Sequence, residues 1–328
     1  MKVLITGANG LVGSFICRQL LQEDHNIRAT KRNSSDLSML EDIQDKIEWV
    51  ESDLTESIFW DEHLSGINAV IHCAAVISFD KRWEKQMYKT NVKGTADLIN
   101  AVLASKVKTF LHVSSVAAIG RKPGQKELTE KDRWEDTSFD SIYARAKYLQ
   151  ELEVWRGAEE GLNVKIINPS IVLGPGKWGN TGSTSVFKYA YDQKSYHPSG
   201  SINYVDVRDV ASVAVQLLNS DIANERFILN ADSLSYKTFF TEIANRFGKN
   251  PPTKVPKDWM LKIGVWAEWI RSRISGKEAL ITKDTAMLSK SQFHFNNQKI
   301  SDALNFKFRP LNETLDWTVA ELKKANSL

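Results

Sequence analysis

The sequence has few cysteines and no long apolar run. Only Cys17 and Cys73 are present, and neither lies in a Cys-x-x-Cys or another metal-ligand spacing. This excludes a disulfide framework and the common zinc motifs, so we expect no metal site. No run of 18 apolar residues occurs, which excludes a transmembrane helix. No cleavable secretory segment precedes the first predicted strand, and we therefore expect a cytoplasmic protein.

An excess of charge of either sign is also missing. The 43 basic and 40 acidic side chains leave a formal charge of +3. This charge is too small to indicate a nucleic-acid-binding protein. The sequence has no Gly-x-Ser-x-Gly elbow and no His-Glu-x-x-His motif, so hydrolysis by an activated serine and zinc catalysis have little support. With 42% hydrophobic and 25% charged residues, the composition is that of a globular protein with a large core.

Short apolar runs alternate with helical patterns over the first half of the chain, which predicts a Rossmann-type, doubly wound parallel α/β sheet. We assign residues 1–172 to an NAD(P)-binding domain, with returns to it around 203–230, and residues 173–328 mainly to a smaller C-terminal α/β substrate cap. The predicted strands are Lys2 to Thr6, Asn26 to Thr30, Ile47 to Val50, Ala69 to His72, Thr109 to Ser114 and Val164 to Asn168, and the predicted helices include Met87 to Ser105 and Ser141 to Gly161.

A glycine-rich turn lies between the first strand and the first helix. Glycine allows a sharp turn there and lets a pyrophosphate approach the helix N-terminus. The spacing is GxxGxxG and differs from the more familiar GxGxxG, but its position predicts a dinucleotide site. The predicted contacts are Gly7, Asn9, Gly10, Leu11, Val12 and Gly13.

The end of the second strand favours NADP over NAD. An NAD site presents a carboxylate there to the ribose 2′-hydroxyl, whereas this chain has Lys31 and Arg32 and no acid before Asp36. A guanidinium binds a 2′-phosphate through two charge-assisted hydrogen bonds. Asp53 and Leu54 after the third strand are expected at the adenine, and the small Ala74 and Ala75 after the fourth strand leave room for the ribose and pyrophosphate.

Tyr143 and Lys147 are spaced i and i+4, which places a phenol and an ammonium on one face of a predicted helix. A free tyrosine has a pKa of about 10, and a nearby cation favours its phenolate. Tyr143 can thereby act as an acid in reduction and as a base in oxidation. Either Ser114 or Ser115, at a predicted strand end, can donate a hydrogen bond to a carbonyl oxygen that gains negative charge.

The ordered segments TGANGLVG, HCAA, NVKGT, HVSSVAAIG, YARAK, NPSIVLGPG and YVDVRDVA resemble the extended short-chain dehydrogenases/reductases, the NAD-dependent epimerase/dehydratase grouping. The similarity covers residues 1 to about 215 and is greatest to members like dihydroflavonol 4-reductase and 3β-hydroxysteroid dehydrogenase. It implies that Ser115 is the catalytic serine and Ser114 its neighbour at the cofactor. It also implies that Asn91 supports Lys147 through a water, and that the nicotinamide is lined by Pro169, Ser170, Ile171 and Val172. The resemblance further implies that Asp206 and Asp209 have a structural role and hold the cap against the sheet.

These features predict an NADP-dependent oxidoreductase that transfers hydride between nicotinamide and a carbonyl or secondary alcohol of a largely apolar small molecule. One alternative is a sugar epimerase with tightly bound NAD(P), although the segment from Pro198 to Asp206 lacks the arginine with which such enzymes grip a nucleotide diphosphate. The other is a non-catalytic NADP-binding regulator, but regulators tend to lose the tyrosine or lysine. A homodimer is left open.

Aromatic residues in the second half suggest a substrate pocket. They are Trp178, Phe187, Tyr191, Trp259 and Trp266. The last two belong to a predicted helix from Trp259 to Ile274 whose aromatics recur at helical spacing. We interpret it as packed on the cap with its aromatics toward core or substrate, and leave interfacial membrane binding and a dimer contact as alternatives.

Overall fold

The computed structural model describes residues 1–55, 60–122, 124–135, 141–179, 182, 184–276, 278–279 and 282–328. Its strands are β1 (Lys2–Thr6), β2 (Asn26–Lys31), β3 (Ile47–Glu51), β4 (Ala69–His72), β5 (Thr109–Val113), β6 (Glu127–Leu128), β7 (Asn163–Pro169), β8 (Ile171–Leu173), β9 (Ser201–Asp206), β10 (Glu225–Leu229), β11 (Asp232–Ser235) and β12 (His294–Phe295). Its helices are α1 (Leu11–Gln22), α2 (Trp60–His63), α3 (Glu84–Met87), α4 (Gly94–Ala104), α5 (Ile142–Glu159), α6 (Ser185–Tyr191), α7 (Val207–Leu218), α8 (Tyr236–Phe247), α9 (Asp258–Ser275), α10 (Lys283–Leu288), α11 (Gln298–Leu304) and α12 (Leu311–Asn326).

Seven parallel strands form the central sheet in the order β10-β7-β5-β4-β1-β2-β3. The chain moves outward from β1 to β3 and then continues with β4 on the other side of β1. The strand order therefore reverses between β1 and β4, and ligands bind at such a point in open α/β sheets. The predicted doubly wound fold is confirmed, with strand ends that differ from the predicted ones by one residue or not at all.

Helices cover both faces of this sheet, which explains why its inner strands are nearly continuous apolar runs. On one face, α1 and α7 contribute Ile16, Leu20, Val210 and Ala214 to a core that includes Ile5 and Ile71. On the other face, Leu98 and Ile99 of α4 and Val154 of α5 pack with Leu4 and Phe110. Packing on both faces fixes the strands of the sheet, so that their carboxyl ends lie along one edge.

The second half of the chain adds a smaller unit with its own core. A three-stranded sheet in the order β11-β9-β8 packs with α6, α8 and α12. Asp209 ties α7 to the start of α12, because its buried carboxylate accepts hydrogen bonds from the backbone N–H of Arg309 at 2.8 Å and from the Arg309 guanidinium. Asp206 caps the N-terminus of α7 through the backbone N–H of Arg208.

Two predicted helices differ from the observed ones. The stretch predicted as one helix from Met87 to Ser105 consists of α3, a π-helical turn at Tyr88–Lys93, and α4. The Trp259 helix is present as α9, but Trp259 and Trp266 are 60% and 63% exposed, so these two rings do not face the core. Within the described ranges, we find no helix that is long and apolar enough to cross a membrane.

Candidate active site

The glycine-rich turn folds against the end of β4. Gly7 has a φ of +71°, and a Cβ atom built on it would lie 2.7 Å from Cα of Ala74. A Cβ atom on Gly13 would lie 2.2 Å from the carbonyl oxygen of Gly7. Larger side chains at either position would displace the turn from the switch point of the sheet.

The turn leaves the N-terminus of α1 without a side-chain cap, since its N-cap residue is Gly10. The first backbone N–H groups of a helix need an outside partner, and the helix dipole makes them a favourable site for phosphate. Leu11, Val12 and Gly13 supply these groups. Asn9 turns its amide toward the backbone oxygen of Asp36, at 3.3 Å. The residues therefore fit the pyrophosphate of a dinucleotide.

Basic side chains at the end of β2 have different surroundings. Lys31 lies over the ring of Trp49, with 5.9 Å between its Nζ and the centroid. Arg32 is exposed and has no ion pair with any described carboxylate. The nearby Asp36 is ion-paired with Lys177, a contact that lowers the pKa of this carboxyl to about 2. The Lys177 cation thus offsets the negative charge of this carboxylate.

The residues expected at the adenine and ribose follow β3 and β4. Asp53 folds back on its own loop, where one carboxylate oxygen accepts from the backbone N–H and the hydroxyl of Thr55, both at 2.9 Å. Leu54 is buried. Ala74 donates its backbone N–H to the hydroxyl of Thr6 at 3.4 Å, and Ala75 follows it half-buried. The other carboxylate oxygen of Asp53 has no hydrogen-bond partner among the described residues, so it can accept a hydrogen bond from an N–H group of a ligand.

The helix α5 carries the acid–base pair. Ser141 caps it by accepting the backbone N–H of Ala144 at 3.1 Å, which places Tyr143 in the first turn and Lys147 in the next. Burial raises the pKa of Tyr143, and its hydrogen bond with Ser115 opposes this rise. Burial lowers the pKa of Lys147 to about 8, with the carboxylate of Glu151 opposing. Tyr143 is half-buried and Lys147 is buried, and both lie on the same helix near the carboxyl ends of the strands.

A buried polar chain fixes the lysine, and the sequence analysis did not identify it. The Nζ atom of Lys147 donates to the backbone oxygen of Val113 at 3.2 Å and to Oε1 of Gln150 at 2.8 Å. Gln150 in turn donates to the hydroxyl of Thr95 at 2.9 Å. All of Lys147, Gln150 and Thr95 are at most 2% exposed. Because buried polar groups need partners, this arrangement restrains the ammonium to one position.

His72 extends the chain to the first strand. Its Nε2 lies 2.9 Å from the hydroxyl of Thr95 and its Nδ1 lies 2.7 Å from the hydroxyl of Thr6. Burial lowers the pKa of His72 to about 3, so the ring is neutral at ordinary pH. It serves as a hydrogen-bonding link between the base of the glycine-rich turn and the surroundings of Lys147.

Ser115 is held by a second buried group of residues that the sequence analysis also missed. Its hydroxyl accepts from the backbone N–H of Ala117 at 3.1 Å, and its backbone oxygen accepts from the amide of Asn168 at 3.0 Å. The same amide donates to Glu151 at 2.5 Å, and Glu151 forms an ion pair with Arg226 at 3.4 Å. Since Glu151 lies one turn after Lys147 on α5, these bonds connect the serine loop to the helix of Tyr143.

Asn91 contacts the loop after β4. Its side-chain oxygen accepts from the backbone N–H of Val76 at 2.7 Å, and its amide donates to the backbone oxygen of Val76 at 2.9 Å. The π-helical turn that contains Asn91 packs against α5. Asn91 therefore fixes the loop next to Ala75, while Lys147 donates its own hydrogen bonds to Val113 and Gln150.

The side expected to face the nicotinamide contains unpaired hydroxyls. Ser114 and Ser170 are buried, and their hydroxyl oxygens have no hydrogen-bond partner among the described residues. Pro169 ends β7, and Ile171 and Val172 begin β8 beside it. Unpaired buried hydroxyls are costly, and a ligand can satisfy them.

Apolar and aromatic groups surround the reacting end. The ring of Phe79 lies 5.5 Å from that of Tyr143. Of the five aromatic residues predicted to suggest a pocket, Trp178, Phe187 and Tyr191 pack in or against the core of the smaller unit, whereas Trp259 and Trp266 are exposed. Helical spacing placed Trp259 and Trp266 on one side of the helix. The spacing does not reveal whether that side faces the protein core or the solvent.

Comparison with known proteins agrees with this fold. The model of the NAD dependent epimerase/dehydratase family matches residues 3–230. The chain is 24% identical to a putative dihydroflavonol 4-reductase of Synechocystis over 95% of this chain and 91% of the relative. It is 27% identical to cinnamoyl-CoA reductase 1 of Petunia hybrida over 99% and 93% of the two chains. The crystal structure of gox2253 superposes with a TM-score of 0.83 at 28% identity, covering 99% of both chains.

The fold and the site together define a nucleotide-binding α/β enzyme with a serine, a tyrosine and a lysine near the carboxyl ends of its parallel strands. The chain belongs to the NAD-dependent epimerase/dehydratase family. It is an NAD(P)-dependent oxidoreductase of the extended short-chain dehydrogenase/reductase type, and the resemblance drawn from the sequence is confirmed.

Proposed function

We propose that this protein is an NADP-dependent reductase that converts a largely apolar carbonyl compound to an alcohol, or catalyses the reverse oxidation. The observation that carries the proposal is that Ser115 lies close enough to Tyr143 to lower the pKa of its phenol, with the buried cation of Lys147 one helical turn away on the same helix. A hydroxyl pair of this kind can hold one carbonyl oxygen from two sides. No carboxylate occupies the positions directly after Ser115, which disfavours dehydration.

The cofactor is proposed to lie along the carboxyl edge of the sheet. The N-terminus of α1 would hold its pyrophosphate, with contacts from Gly7, Asn9, Gly10, Leu11, Val12 and Gly13. Arg32, with Lys31 beside it, would hold the 2′-phosphate. Asp53 and Leu54 would contact the adenine, Ala74 and Ala75 would adjoin the ribose and pyrophosphate, and Ser114 with Pro169, Ser170, Ile171 and Val172 would line the nicotinamide. When bound, the cofactor supplies or accepts the hydride.

The protein residues handle the proton and the charge. Ser115 donates a hydrogen bond to the carbonyl oxygen as negative charge develops there. Tyr143 donates its phenolic proton to that oxygen, and the cation of Lys147 favours the phenolate that remains. Asn91 supports the site by fixing the loop at Val76. In oxidation, the same tyrosine removes the proton from the alcohol.

The substrate is proposed to be small to medium in size and largely apolar. The Phe79 ring beside Tyr143 supports this, as does Val116, which directly follows Ser115 and packs in an apolar cluster with Ile119 and Phe295. We assign cofactor binding to residues 1–172, with returns around 203–230, and substrate binding mainly to residues 173–328.

A carbonyl panel tests the function. Purified protein is incubated with NADPH or NADH and with aliphatic and aromatic aldehydes, ketones, a dihydroflavonol and a cinnamoyl-CoA thioester; the last two are chosen from the names of the relatives. We expect net NADPH consumption with at least one apolar carbonyl, and a rate lower by about 10²–10⁴-fold in Tyr143→Phe. Conversion of a nucleotide sugar without added cofactor would refute the proposal and indicate an epimerase, while cofactor binding without any turnover would indicate a regulator.

A further inference from the structure

Helix α9 presents an apolar stripe to solvent. Its large apolar side chains on this side are between 51% and 82% exposed. We refer to them as the α9 face: Trp259, Ile263, Trp266, Trp269 and Ile274. Their spacing of three to five residues places them on one side of the helix. Three exposed tryptophans on one helix form an unusually costly surface in water, because each ring is a large apolar group.

The charges next to the α9 face are positive. Lys262 and Arg273 lie on the same side of the helix and are exposed, and the guanidinium of Arg273 lies 4.6 Å from the centroid of Trp269. Lys257, just before the helix, is exposed as well. Among the described residues, none of these three cations forms an ion pair with a carboxylate.

The acids of α9 form their ion pairs with other cations, although the charge of Lys262 also contributes to the lowered pKa of Asp258. Asp258 forms an ion pair with Lys290 at 2.6 Å, and Glu268 forms one with Arg271 at 2.8 Å on the opposite side of the helix. The α9 face therefore combines apolar rings with cations whose charge is available to an anionic partner.

We propose that the α9 face docks on the surface of an anionic lipid bilayer. Helices with tryptophan and aliphatic residues on one side and flanking basic residues lie in the plane of a membrane interface. Tryptophan prefers the headgroup level, and each cation near an anionic surface adds to the attraction. A second copy of this chain fits less well, because pairing two α9 faces would bring their cations together in a newly buried contact.

The position of α9 gives this docking a consequence for the site. The guanidinium of Arg82 donates to the backbone oxygen of Ser272 in α9 at 3.1 Å, and Arg82 lies three residues after Phe79, whose ring packs against Tyr143. Docking therefore places the bilayer next to the loop that borders the reacting groups. Delivery of a lipid-dissolved carbonyl from the bilayer rests on the proposed function, whereas the docking itself does not.

Vesicle sedimentation of the full chain tests the docking. The vesicles contain phosphatidylcholine with or without phosphatidylglycerol, and tryptophan emission is recorded in parallel. Wild-type protein is expected to sediment with the anionic vesicles and to show a blue shift. Trp259→Gln combined with Trp266→Gln should weaken binding at least about tenfold, and Lys262→Gln combined with Arg273→Gln should weaken it about 30-fold. Leu152→Gln and Lys324→Gln alter exposed residues on other helices and should bind as wild type does.

Several results would overturn the docking proposal. One is an absence of sedimentation with anionic vesicles, and another is equal binding by the tryptophan variant. Light scattering provides a third: a dimer that Trp259→Gln and Trp266→Gln convert to monomer would assign the α9 face to a second copy. Melting temperatures equal to wild type show that the variants are folded. Because none of these measurements uses turnover, they stand apart from the test of the reductase.

Discussion

Replacement of Gln150 by leucine tests whether the buried chain sets the charge of Lys147. Leucine fills a similar volume but removes the oxygen that accepts from the ammonium at 2.8 Å, and leaves the backbone oxygen of Val113 as its remaining partner. A hydrogen bond to a charged group is worth about 1.5–3 kcal/mol, and about 1.4 kcal/mol corresponds to one pH unit. The pKa of Lys147, about 8 in the native protein, should therefore fall by about one to two pH units.

The sign of the effect on activity follows from the role of the cation. Lys147 is charged below its pKa and loses its proton as the pH rises through it, so reduction should decline above pH about 8 in the wild type. In Gln150→Leu the decline should begin at about pH 6–7. Gln150→Glu adds a buried negative charge next to the ammonium, and its decline should move to higher pH.

The assay is the pH profile of kcat with the carbonyl that the panel identifies. Gln19→Leu serves as a control, because it removes only an exposed hydrogen bond to Glu23. The pH at which kcat declines on the alkaline side is compared among wild type, Gln150→Leu and Gln150→Glu. If this pH is the same in all three folded proteins, the decline does not report the charge of Lys147. A shift in the same direction for both variants would refute the electrostatic argument.

Three further predictions concern the cofactor and the acid. Arg32→Asp should weaken NADPH binding by about 100-fold, from two lost charge-assisted bonds, and spare NADH; equal affinity changes in fluorescence titrations of both cofactors would contradict the NADP assignment. Tyr143→Phe should lower kcat by about 10²–10⁴-fold and leave NADPH affinity unchanged, so substantial residual turnover would exclude the phenol as the acid. Gly13→Ala should weaken NADPH binding by about tenfold, because its Cβ would lie 2.2 Å from the oxygen of Gly7. In the matched Gly264→Ala, no described atom outside the adjacent residues and the backbone of the same helix lies within 4 Å of the new Cβ, so calorimetry should show unchanged NADPH affinity with equal or higher thermal stability.

The parts of the site that depend on local sequence could be predicted. The turn from Gly7 to Gly13 lies between one strand and the next helix, so its position follows from the order of two adjacent elements. The pair Tyr143 and Lys147 shares a helix face because of its spacing alone. For such features the apolar pattern and the turn residues carry enough information.

The residues that hold the catalytic groups could not be predicted in this way. Gln150, Thr95 and His72 meet only because α5, α4 and β4 pack together, and no sequence spacing relates them. Asn168 and Glu151 likewise come from different elements. The π-helical turn at Tyr88–Lys93 and the outward orientation of Trp266 were missed for the same reason, since tertiary packing decides both.

Hydride transfer from labelled cofactor tests the central claim most directly. NADPH deuterated at the nicotinamide C4 is supplied with the carbonyl that the panel identifies, and the product is examined by mass spectrometry and NMR. We predict one deuterium on the new alcohol carbon, net formation of NADP⁺, and loss of this reaction in Tyr143→Phe. Product without the label, or conversion that proceeds without net cofactor consumption, would contradict the assignment of the protein as an NADP-dependent carbonyl reductase.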